Sequence, residues 1–135
     1  MTTQETEKRK AILFCTCSGA CPSMAKIDFW ALAERVRLEF EGKIEFMALH
    51  PRLCEPDGER FMSNILKEGI VYITPACKEN KQQKLLRDGF EKAGVPMDAD
   101  HWLPISMALE DTDAVFQKIK AAVEGVIGER QTGKE

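Results

Sequence analysis

Three of the five cysteines in this chain fall within seven positions, as Cys15, Cys17 and Cys21 of the stretch FCTCSGACPSM. Cys54 and Cys77 stand singly, in LCEPDG and TPACKE. Few chemistries need such a set. An iron–sulfur cluster takes four thiolates, and its size lets the ligands converge from separate loops. A structural zinc ion also takes four N or S ligands, usually in pairs spaced C-x₂₋₄-C. Cys17 and Cys21 would make one such pair, but Cys54 and Cys77 do not make a second. Ligand spacing therefore favours a cluster over zinc. A third chemistry, thiol redox or sulfur transfer, would use Cys17 or Cys21 as a nucleophile with a depressed pKa near a helix N-terminus. The gaps of one and three residues differ from the C-x-x-C of thioredoxin-type exchange. Small thiols also fill ordinary cores, and Cys15, closing an apolar run, suits that role. Cys17, Cys21 and Cys54 do not, because Gly, Pro and polar residues surround them.

Other polar residues are weaker candidates. CEPDGER, from Cys54 to Arg60, has the C-x₅-R spacing of a phosphate-binding loop. Glu55, Asp57 and Glu59 would repel the anion there, and Pro56 removes a backbone donor. His50, four residues before Cys54, can act as a ligand or donate an N–H to sulfur, and more simply reads as a turn residue before Pro51. His101 and Trp102 read as edge and packing residues. Lys78, Lys81, Lys84, Arg87 and Lys92 read as one solvated helix face. Neither a Ser/His/Asp arrangement nor a phosphate-binding glycine loop is recognisable, so an independent hydrolase or transferase is not expected.

The elements that must position the thiols follow from periodicity. KAILFC, residues 10–15, suits a buried parallel strand. Asp28 can cap a helix with Phe29, Leu32, Ala33, Val36 and Phe40 on one face, ended by Gly42. KIEFMAL, residues 43–49, predicts a second strand, followed by a Pro-rich loop that carries Cys54. A helix over about 57–68 would bury Phe61, Met62, Ile65 and Leu66. GIVYIT supplies a third strand, with Cys77 directly after it. A third helix places Leu85, Leu86, Phe90 and Ala93 inward and stops at Gly94. HWLPISM is the fourth strand, and Asp111 or Thr112 caps a last helix with Val115, Ile119, Ala122, Val123 and Val126 on one side.

The expected fold is therefore α/β, a three-layer sandwich in the order βαβαβαβα, with a four-stranded mainly parallel sheet and helices on both faces. Residues 1–9 are expected to be a flexible segment, 10–128 a single domain, and 129–135 a flexible tail. Every cysteine lies at or after the carboxyl end of a strand, and in such sheets ligands bind beyond those ends. The charges are mixed, with a formal net charge of −3, which gives no basic footprint for nucleic acid. No apolar run approaches a membrane span and no signal h-region is present, so a cytoplasmic protein with reduced thiols is expected.

Read together, FCTCSGACPSMAKIDFWALAERV, LCEPDGERFMSNILKEG and IVYITPACKENKQQKLLRDGFEKAGVP resemble the N-terminal domain of the A-type subunit of heterodisulfide reductase and its relatives, over about residues 10–107. The shared elements are Cys15-Thr16-Cys17 at a strand end, Cys54 before Asp57-Gly58, Ala76-Cys77 after a β-rich run, and Ala93-Gly94-Val95 closing a helix. The resemblance implies an iron–sulfur electron-transfer protein, with a [4Fe–4S] cluster on Cys15, Cys17, Cys54 and Cys77. Cys21 is an extra thiol, available as a substitute for Cys15. The flavin-binding G-x-G-x-x-G loop and the ferredoxin-type C-x₂-C-x₂-C runs of larger family members are not found, so no flavin is expected in this chain. It would be a stand-alone, non-catalytic relay subunit or accessory of an oxidoreductase complex, with flavoprotein or ferredoxin-like partners. A relay must present its cluster, and Met24, Leu53 and Pro56, with Lys26 and Arg52, are the expected docking surface. A thiol or sulfur-transfer module and a zinc-stabilised interaction module remain the alternatives.

Overall fold

The computed structural model describes residues 9–19 and 21–132, with side chains through residue 125. The elements alternate as β1 (Arg9–Cys15), α1 (Phe29–Phe40), β2 (Met47–His50), α2 (Pro56–Ile65), β3 (Ile70–Ala76), α3 (Glu79–Ala93), β4 (Trp102–Ser106) and α4 (Thr112–Thr132). The four strands are all parallel, in the order β2-β1-β3-β4. Side-chain alternation along the two central strands splits the core in two. Ile12, Phe14 and Ile73 face α1 and α4, packing on Leu32, Val36, Phe40, Phe116 and Ile119. Ala11, Leu13 and Tyr72 face α2 and α3, packing on Met62, Leu86 and Phe90. The result is the three-layer sandwich that continuous apolar runs in central parallel strands require.

Several boundaries differ from the periodicity. β2 starts at Met47 rather than at residue 43, because Glu45 donates to the Lys10 carbonyl while Phe46 accepts from Ile12. Two successive residues thus face β1, a bulge-like irregularity that delays regular pairing. α2 ends at Ile65 rather than near 68, because the buried Tyr72 hydroxyl donates to the Ile65 carbonyl at 3.1 Å and accepts from the Lys67 N–H at 2.8 Å. Leu85, expected inward, is 42% exposed. Asp111 rather than Thr112 caps α4, its carboxylate accepting from the Ala114 N–H at 2.8 Å. The backbone of residues 129–132, expected in the tail, continues α4, while residues 1–8 and 133–135 and the Val126 side chain lie outside the description. Among the described residues no helix is long and apolar enough to cross a membrane.

A candidate thiol site at the parting of two strands

The chain runs from β1 outward to β2 and then crosses back to β3, so the strand order reverses between β1 and β3. That is the switch point at which α/β sheets open a crevice. Here the opening is visible in the register. Pairing of β1 with β3 runs only to Ile12 opposite Ile73, whereas β1 stays paired with β2 to Cys15 opposite His50, and β3 with β4 to Ala76 opposite Ser106. Pro75 contributes to this parting. The Tyr72 N–H points to the His101 carbonyl beside β4, so alternation puts the Pro75 nitrogen on the β1 side, where it has no hydrogen to donate.

All five cysteines line one cavity of about 210 Å³ in this cleft, together with Met24, Ala76, Lys81, Gln82, Leu85 and Leu86. All are free thiols; Cys54 is exposed and the other four are half-buried. Among the described residues no three His, Cys, Asp or Glu side chains converge as a single metal ion would need. The thiols surround a space instead of meeting at a point.

Each thiol has its own support. The Cys15 sulfur accepts the Leu53 N–H at 3.3 Å. Cys17 and Ser18 occupy left-handed backbone, with φ of 53° and 54°, followed by Gly19 at 70°. Such a conformation costs about 1–3 kcal/mol per non-glycine residue and persists only where surroundings enforce it. They do so here: Ser18 donates to the Pro51 carbonyl at 2.9 Å, Gly19 to the Thr16 carbonyl at 2.9 Å, and Arg52 Nε to Ser18 Oγ at 3.0 Å. Cys21 caps the short turn Pro22–Met24, its sulfur 3.1 Å from Ser23 Oγ. Cys54 ends a loop held close to α2 by Gly58, and Cys77 follows β3 directly.

The thiols also sense one another. Burial pushes Cys17 and Cys77 above the ordinary thiol range, partial shielding of the sulfur does the same for the otherwise exposed Cys54, and the neighbouring Cys15 raises all three further. Cys54 additionally interacts with Cys17 and with Cys77. Two cations oppose the rise, Arg52 at Cys17 and Lys81 at Cys77. Cys21 differs. The Ser23 hydroxyl holds its thiol below the usual range, helped by the Ser23 and Met24 backbone N–H groups and by Cys17. The expectation that Cys17 has a depressed pKa is therefore corrected, since burial outweighs Arg52.

Other expectations change as well. His50 does not line the thiol cavity. Its Nδ1 accepts the Arg52 N–H at 3.0 Å, its Nε2 lies 3.4 Å from Asp57, and its ring stacks on Phe61, so it shapes the turn. His101 sits before β4, at the opposite end of the sheet, 2.8 Å from Asp98. Cys54 and Arg60 form no phosphate cradle, because α2 begins at Pro56. Met24 and Leu53, expected on a docking surface, are buried at 4% and 0% exposure. Pro56 and Lys26 are exposed and Arg52 is half-buried. The exposed apolar residue of the cavity lining is Leu85. The sequence reading missed Lys81, Gln82 and Ser23 as residues of the site. The one signal for Gln82 was its position in register with Leu86, one turn before it on the buried face.

Comparison with protein-family models and with curated proteins finds no match to this chain.

Proposed function

We propose that the chain holds an iron–sulfur cluster, of the [4Fe–4S] type, in the thiol cavity and relays electrons as a subunit or accessory of an oxidoreductase complex resembling heterodisulfide reductase. The observation that carries this reading is the gathering of five thiols from three successive strand ends around one cavity at the switch point. The donor set fits the group: a site lined by thiols suits a thiolate-bound cluster, and about 210 Å³ is below the roughly 300–1,000 Å³ of sites for organic ligands. By the resemblance, Cys15, Cys17, Cys54 and Cys77 would be the ligands, with Cys21, which lines the same cavity beside Cys17, as an available substitute. When bound, the cluster supplies a one-electron couple.

The chain's own residues set the environment of that couple. The Leu53 N–H directed at the Cys15 sulfur and the positive charges of Arg52 and Lys81 favour thiolates and added negative charge. Exposed Cys54 and half-exposed Leu85 form the edge presented to a flavoprotein or ferredoxin-like partner. Purification without oxygen, followed by visible absorption and assays of iron, acid-labile sulfide and zinc, tests the proposal. A brown protein with iron and sulfide in near-equal amounts, bleached by reductant, is expected. Colourless protein containing zinc refutes electron transfer in favour of an interaction module.

One observation favours a second reading. Ser23, 3.1 Å away, holds the Cys21 thiol below the usual range and so favours its nucleophilic thiolate. A thiol or sulfur-transfer module would be indicated by colourless, zinc-free protein bearing a persulfide on Cys21.

A further inference from the structure

A buried polar network lies beside the thiol cavity. Gln82, in the first turn of α3, is 1% exposed and lines the cavity with Cys77. Its Nε2 donates to the Cys77 carbonyl at 2.7 Å and to the Ile105 carbonyl at 3.0 Å. Its Oε1 accepts the Thr74 hydroxyl at 2.6 Å, and Thr74 Oγ1 accepts the Trp102 indole N–H at 2.9 Å. Both amide hydrogens are thus committed to main-chain acceptors at the ends of β3 and β4.

A buried amide is a costly way to fasten a helix to a sheet, because each of its polar atoms loses water. An apolar side chain of similar size would fill the same volume. What an apolar residue cannot do is orient a peptide plane. Cys77 stands between the end of β3 and the start of α3, where no regular ladder holds its carbonyl. A fully satisfied network of this kind rigidifies its members and selects one arrangement.

We infer that Gln82 is a positioning residue of the thiol site: its side-chain amide, clamped between the Cys77 and Ile105 carbonyls, holds the Cys77 sulfur on the cavity wall. The inference rests on the proposed cluster only for its effect on a bound group. The orientation of the thiol is a property of the chain alone.

The test uses the full chain with reduced thiols and no metal, and measures alkylation at each cysteine by mass spectrometry. Gln82→Met removes both donors. Thr74→Val removes the other half of the network and leaves both amide–carbonyl bonds. The ratio of Cys77 to Cys54 alkylation is expected to change about tenfold in Q82M, the size of effect that follows from losing a buried hydrogen bond, and less than about twofold in T74V. Q82E, which keeps the acceptor for Thr74, is expected to shift the ratio in the same direction as Q82M. A ratio unchanged in folded Q82M, or changed equally by T74V, overturns the inference. Equal acceleration of all five cysteines in both Gln82 variants overturns it too, by assigning Gln82 to general stability. In anaerobically prepared protein, Q82M is expected to release iron to a chelator about tenfold faster than the parent. A parent without iron would refute the cluster and leave the alkylation ratio to decide the role of Gln82.

Discussion

Replacing Gly58 by alanine sets two effects of opposite sign against each other. Within a helix, alanine is favoured over glycine by up to about 1 kcal/mol, and by less in a first turn. Gly58 is the third residue of α2, but it is buried, and a methyl there would overlap the Arg52 carbonyl oxygen and the Cα and carbonyl carbon of Leu53. These are backbone atoms, so no side chain can swing aside. Forcing a methylene-sized group into packed surroundings costs about 1–3 kcal/mol. Relief by moving the loop draws out Leu53, which is fully buried and worth about 1.5–3 kcal/mol in place. After subtraction of the helix-propensity gain, the balance is a net loss of about 0.5–2.5 kcal/mol, a sizeable part of the roughly 5–15 kcal/mol that holds a domain of this size. Because Cys54 follows Leu53, the displacement also reaches the thiol site. Urea unfolding followed by far-UV circular dichroism is expected to show a lower midpoint, and anaerobically prepared G58A to hold less iron than the parent. A midpoint that rises, as helix propensity alone would dictate, refutes the close approach of α2 to the Cys54 loop.

Three further outcomes are expected. In single Cys→Ser variants prepared without oxygen, Cys21→Ser keeps nearly the parental iron, while changes at Cys15, Cys17, Cys54 and Cys77 each lose most of it; equal loss in all five contradicts the assigned quartet. In metal-free protein, a pH series of site-resolved alkylation finds Cys21 reacting at lower pH than Cys77, since Ser23 favours the Cys21 thiolate and burial favours the neutral form of Cys77. Reaction of Cys77 ahead of Cys21 would count against this electrostatic picture. Asp28→Ala removes the carboxylate that accepts the Ala31 N–H at 3.1 Å, and a thermal melt is expected to show a loss of about 1 kcal/mol; an unchanged melt would show that the cap contributes nothing.

The position of the site at the switch point separates roles that the five cysteines share in type. Cys15 and Cys77 flank the parting of β1 and β3, Cys17 is held by a strained loop, and Cys54 depends on how closely α2 can approach. Cys21 is set apart by its ionisation, its thiol held below the usual range by Ser23. Its distinct chemistry gives the alkylation and Cys→Ser series independent readings of the same arrangement.

Local pattern determined much of this protein. Apolar runs and 3.6-residue stripes give the alternation of strands and helices, and the punctuation by Gly and Pro puts each cysteine at or beyond the carboxyl end of a strand, because these signals act between residues close in sequence. The two apolar faces of IVYIT and AILF already require covering layers on both sides. Tertiary structure decided the rest. That β1 and β3 part beyond Ile12 and Ile73 depends on which strands become neighbours. Tyr72 ends α2 early through a hydroxyl from another element, and Met24 and Leu53 are drawn into the interior by their packing partners. Gln82, in a helix rich in lysine, became a buried clamp because the carbonyls of Cys77 and Ile105 arrive beside it from two strands. Periodicity tells which face a residue occupies, but the partner that awaits it there comes from distant sequence, and that partner sets burial, hydrogen bonding and the ionisation of each thiol.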